Sequence, residues 1–81
     1  MIFLIEYNRP EGQLVTFQRF QDPERLTAQN ARLDLELDLN RRRIDHEVVL
    51  LEAVNEAALR RTHRRYFETL SQILKSATGE G

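Results

Sequence analysis

Cysteine is absent from this chain of 81 residues, and with it go disulfides, thiol chemistry and every cysteine-based zinc site. The absence suits a reducing compartment, and the expected location is cytoplasmic. Glycine occurs only at Gly12, Gly79 and Gly81, and serine only at Ser71 and Ser76. No phosphate-cradling loop or nucleophile elbow can be assembled from them. The two histidines, His46 and His63, lack neighbours at metal-ligand spacing. No catalytic residue, metal ligand or cofactor site is therefore assigned. The chain also lacks a strong charge of either sign: its net charge is −1, too small for a global field that draws it onto nucleic acid or anionic lipid. The opening Met1 to Ile5 is apolar but has no basic region before it and turns polar at Glu6. It reads as neither a signal peptide nor a membrane span.

What is present fits one small folding unit. A chain of this length buries only about 60 to 65% of its unfolded surface, so its core is thin. Its composition, 41% hydrophobic and 31% charged, is that of a globular domain. A single α+β domain is expected over residues 1–77, with a frayed tail at 78–81.

The segment Asp22 to Arg43 organises the rest. Asp22 is the expected cap and Pro23 the expected first helical residue, since proline has no amide to lose there. At about 100° per residue, Leu26, Leu33, Leu37 and Ile44 form one stripe, and Ala28, Ala31, Leu35 and Leu39 gather on the opposite side. The leucines at 33, 35, 37 and 39 also alternate with polar residues, as a half-buried strand would. Against a strand stand the lack of β-branched or aromatic residues between Ala28 and Arg43 and the helix preference of leucine and glutamate. On the helix, Arg32 with Glu36 and Asp38 with Arg42 fall four apart, as ion pairs.

Around this helix the order reads β-β-α-β-α. Met1 to Tyr7 is apolar on both faces, as an interior strand is. Asn8 to Gly12 is a turn, with Pro10 presetting one angle and Gly12 supplying a positive one. Gln13 to Phe20 is wetter and suits an edge. Glu47 to Val54 is a third strand, and Asn55 caps a second helix whose stripe runs Leu59, Thr62, His63, Tyr66, Leu70, Ile73, Leu74 and Ala77, with Phe67 at its margin. The easiest connection gives a three-stranded antiparallel sheet of order 2-1-3 packed with two helices. The order resembles half of a ferredoxin-like unit, an architectural analogy that carries no activity.

Two apolar stripes on one helix imply a partner. With the larger stripe on the sheet, Ala28, Ala31, Leu35 and Leu39 point away, so either that stripe or an uncovered sheet face is expected to lie between the subunits of a homodimer. The second sheet face is covered either by the two helices taking opposite faces or by another subunit, and the alternative to the dimer is a monomer in which Leu35 and Leu39 are half-exposed. Asp34, Glu36 and Asp38 read as a solvated acidic face. Arg60, Arg61, Arg64 and Arg65 share a helix side and, with Arg41 to Arg43, define a candidate anion or nucleic-acid contact. They equally suit pairing with Glu56 and Glu68. The expected role is a small interaction or accessory protein without chemistry of its own. The alternative is a sequence-nonspecific nucleic-acid binder using the arginine face.

Overall fold

Strand β1, Ile2–Asn8, is apolar but for Glu6 and the terminal Asn8, and it forms the centre of the fold. It pairs antiparallel on one side with β2, Gln13–Phe20, and on the other with β3, Glu47–Glu52, in the order β2-β1-β3. Between β1 and β2 the chain turns at Gly12, whose φ of 63° is one that glycine adopts without cost. The Asn8 side-chain oxygen accepts from the Glu11 amide at 3.3 Å, closing the turn from within. Further along, the register slips between Glu6 and Tyr7: Thr16 lies opposite Glu6 and Leu14 opposite Tyr7. Val15 is left over as a bulge on an edge strand.

The structure, a computed structural model, describes residues 1–68. Beyond β2 a single 3-10 turn, Asp22–Glu24, leads into helix α1, Arg25–Arg41. The segment around Leu33 to Leu39 is therefore helix, as propensity and not alternation indicates. The α-helix itself starts at Arg25, two residues after the expected Pro23, and the 3-10 turn before it starts at Asp22. The Glu24 carboxylate accepts from the Gln21 amide at 2.8 Å, and the Glu24 amide donates to the Gln21 carbonyl at 2.9 Å. Asp22 instead faces the terminal ammonium of Met1 at 2.8 Å, which leaves capping to its neighbours.

α1 ends by a device that needs no glycine. Arg43 takes the left-handed conformation, φ 58°. The Ile44 amide then reaches back to the Leu39 carbonyl at 2.9 Å, and the Arg43 amide to the Asn40 carbonyl at 3.1 Å. These are the two crossed bonds of a Schellman motif, whose apolar contact joins the residues at the places of Ile44 and Leu39. Ile44 is thereby turned out of the helical stripe to which continued rotation assigns it.

Asn55 caps helix α2, Glu56–Thr62, accepting from the Ala58 amide at 2.8 Å. The helix is shorter than its apolar stripe suggests. The Thr62 hydroxyl donates back to the carbonyls of Ala58 and Leu59, His63 leaves the helical region at φ −129°, and a 3-10 turn, Arg64–Tyr66, follows. Such back-bonding competes with the regular ladder. Leu70, Ile73, Leu74, Ala77 and the tail at 78–81 lie outside the described residues.

The two helices cover opposite faces of the sheet. Phe3, Ile5 and Tyr7 point to the side of α2, where they meet Leu59 and Tyr66 with Phe17, Val49 and Leu51 at the margin. Tyr7 and Tyr66 pack edge to face at 5.2 Å, and Phe3 stacks on Phe17 at 5.6 Å. Ile2, Leu4 and Glu6 point to the side of α1, opposite Glu52, Leu50 and Val48 on β3. Among the described residues no helix is long and apolar enough to cross a membrane.

On α1 the expected stripes exchange roles. Ala28 and Leu39 are buried, at 0% and 4% exposure, with Ala31 and Leu35 half-buried beside them. These four residues, expected to lie between subunits, instead cover the sheet of their own chain. The reason is steric. β1 already supplies bulk at Ile2 and Leu4, and alanines let the helix approach it closely. Arg25 reaches Glu52 at 2.6 Å, and Ile44 folds back toward Leu39, so both ends hold the same roll of the helix.

Candidate interaction surface

The roll of α1 leaves its larger side chains outside. Leu26 is 69% exposed, and Leu33 and Leu37 are 53% exposed each. Together with exposed Asn30 and Asn40, they span about 80° of the helix surface, spaced four, three, four and three apart. That is the spacing of a coiled-coil seam, with Asn30 and Leu37 at a positions and Leu26, Leu33 and Asn40 at d positions. Exposed Gln29 and Glu36 flank it on one side and Thr27, Asp34 and Arg41 on the other. Scattered surface leucines are ordinary, but Leu33 and Leu37, neighbours four apart, with Leu26 in line beyond Asn30, make an apolar ridge broken once by an asparagine.

Two of the three acids of α1, Glu36 and Asp38, are engaged in ion pairs along its surface, and Asp34 is exposed without one among the described residues. Arg32 meets Glu36 and Arg42 meets Asp38, each at 3.1 Å and each four residues apart. These are the two pairs expected from spacing. Asp34, Glu36 and Asp38 do not converge, and among the described residues no group of three or more acids and histidines gathers to hold a metal.

The arginines of the α2 side are largely occupied by the chain's own carboxylates. Arg60 meets Glu56 at 2.9 Å and lies over the Phe67 ring at 4.4 Å. Arg64 meets Glu68 at 2.9 Å. Arg65 passes over Tyr66 to reach Glu47 at 2.9 Å, a partner that helical spacing does not reveal. Arg61 is exposed and makes no ion pair among the described residues. The four therefore form no shared anion cradle. Each is tied to a different acid or to none.

Two acidic sites escape a reading by local spacing. Glu47 has a side chain only 10% exposed and gathers Arg9 at 2.8 Å, Arg65, and the Tyr66 hydroxyl, which donates to it. Burial alone raises the Glu47 carboxyl, but the Tyr66 and Arg9 hydrogen bonds and the charge of Arg65 outweigh it and hold it below the usual carboxylate range. Burial, then the Glu47 hydrogen bond, pushes the Tyr66 phenol up. On the other sheet face, Glu6 is 5% exposed. It accepts from the Thr16 hydroxyl at 2.7 Å and lies 2.6 Å from His46 Nδ1. The signal for this contact is an acid inside an apolar strand. In the observed register Glu6 faces Val48, so His46, two residues before, is its diagonal same-face neighbour. His63 packs half-buried against Tyr66, ring centroids 6.3 Å apart, with Nδ1 held 2.9 Å from the Thr62 hydroxyl.

No protein-family model, curated protein or solved structure matches this chain. The fold and its surfaces define a small three-stranded α+β domain with an apolar ridge on the outer face of its longest helix.

Proposed function

We propose that this chain is a self-associating interaction module, without chemistry of its own, that docks through the outer face of α1. The observation that carries this reading is the exposure of Leu26, Leu33 and Leu37 on a helix whose other side already covers the sheet. With α1 and α2 on opposite faces, the sheet needs no second subunit to shield it, so the demand for a partner moves to the helix. The arginine face favours the same reading over nucleic-acid binding, because Arg60, Arg64 and Arg65 are engaged by Glu56, Glu68 and Glu47 and displacing those acids costs part of any phosphate contact.

Complete burial of a leucine is worth about 1.5 to 3 kcal/mol, and each of these is already partly covered. Six half-covered leucines set against the loss of free translation and rotation give a dimer in the micromolar range, of order 10 to 100 micromolar. Sedimentation equilibrium across about 5 to 500 micromolar tests this. The expected result is a mass rising from one chain toward two, and a shift back to the monomer in the Leu33→Ser/Leu37→Ser variant. A single 9.6 kDa species throughout the range would sink the reading.

A further inference from the structure

We infer that the occupant of the α1 ridge is the α1 ridge of a second copy, and that the two helices run parallel. This inference rests on the self-association proposed above and adds its geometry. The leucines face directly away from the sheet, so two copies joined there hold their sheets on the far sides of the helix pair and do not collide. Two orientations place leucine on leucine. In the parallel one, every seam residue meets its own copy: Leu26, Leu33 and Leu37 with themselves, and Asn30 and Asn40 each with an asparagine able to return its hydrogen bond. In the antiparallel one, Leu33 meets Leu37, and Asn30 meets Asn40.

Charge separates the two. In a parallel pair each residue at a g position faces the residue five later at an e position of the other helix. Glu36 then faces Arg41 and Gln29 faces Asp34, each twice by symmetry. The first is an ion pair and the second a hydrogen bond to a carboxylate. In the antiparallel pair, residues at e face e and residues at g face g. Asp34 then approaches Asp34, and Glu36 approaches Glu36, close to the symmetry axis, where repulsion cannot be relieved by sliding one turn without setting an asparagine against a leucine. Arg41 is exposed and makes no ion pair among the described residues, so it is free for the other chain, and Glu36 would share its carboxylate between Arg32 of its own chain and this Arg41. A parallel seam with asparagine at an a position is also the arrangement in which a polar residue is known to fix register at some cost in stability.

The absence of cysteine makes the test clean. Asn30→Cys and Asn40→Cys are prepared separately, each checked by circular dichroism for an unchanged fold, then oxidised alone and as a mixture. Parallel pairing brings each introduced thiol to its own copy, so each variant forms a covalent dimer alone and the mixture gives no preference for the mixed disulfide. Antiparallel pairing brings position 30 to position 40 and separates like positions by about 15 Å along the axis, too far for a disulfide. Only the mixture then cross-links, which overturns the orientation while the self-association reading survives. A dimer by sedimentation that cross-links at neither position uses another surface, and overturns this inference as well. Monomers at every concentration overturn both. Charge reversal gives a second measurement that needs no thiol: Glu36→Arg weakens association about tenfold, and adding Arg41→Glu restores it. Failure of the double variant to recover would remove the assigned ion pair and, with it, the parallel inference.

Discussion

Glu6 occupies the central strand with both carboxylate oxygens engaged, one by the Thr16 hydroxyl and the other by the His46 ring. Burying a carboxylate in so thin a core costs free energy that its hydrogen bonds must offset. Thr16→Val keeps the shape of the edge strand but removes one donor, and it is expected to cost about 1 to 3 kcal/mol in urea denaturation. A loss under about 0.5 kcal/mol would mean that water replaces the hydroxyl. Glu47 makes the corresponding case on the other face, and there the pH dependence has a sign. Its carboxyl is held below the ordinary range in the fold, so the stability it contributes is present above the unfolded value of about 4.3 and is lost as pH falls through the lower folded value. Glu47→Gln should therefore destabilise by about 1 to 3 kcal/mol at neutral pH and flatten the acid limb of the stability profile below about pH 4. Urea midpoints between about pH 2 and 7 decide it, and a variant whose acid limb stays as steep as the wild type's would show that other carboxylates dominate.

At the scale of the element, α1 shows what a helical wheel contains and what it omits. Two opposed stripes are legible in the spacing of Leu26, Leu33 and Leu37 against Ala28, Ala31, Leu35 and Leu39. Which stripe turns inward is not, because rotation angle says nothing about how much room the sheet leaves. The end of the helix is equally hidden: Arg43 in the left-handed region replaces the glycine that usually signals a stop, and so helical spacing alone places Ile44 on the outer stripe. The end of α2 is hidden for a related reason, since the apolar spacing through Leu59 and Tyr66 continues past Thr62 while the α-helical backbone gives way to a 3-10 turn. The reversed roll of α1 has a direct consequence. Leu39→Ala should cost about 2 to 5 kcal/mol, and Leu33→Ala, on the exposed ridge, should leave the monomer within about 0.5 kcal/mol of wild type. Paired denaturation curves at low protein concentration make the comparison, and equal losses from the two substitutions would restore the opposite roll.

For the whole molecule, the strand order was legible because hydrophobicity ranks the strands: β1 is the most apolar and β2 the wettest. The placement of the helices was not, because β1 is apolar on both faces and Ile2 with Leu4 asks for cover as strongly as Phe3 with Ile5. The chain meets that demand with one helix on each side, which completes the monomer and strands the leucine ridge in solvent. A ridge that binds only folded copies couples assembly to stability by mass action. Wild-type protein is thus expected to melt at a temperature that rises with concentration, by a few degrees between about 5 and 500 micromolar, since about 1 kcal/mol moves the midpoint of a domain this small by roughly 4 to 8 °C. The Leu33→Ser/Leu37→Ser variant should match the wild type at the dilute end, where both are monomers, and should show no rise with concentration. Differential scanning calorimetry over that range reads both. A wild-type midpoint indifferent to concentration, or a double variant that melts lower even when dilute, would mean that these leucines support the fold of the single chain and not a contact between chains.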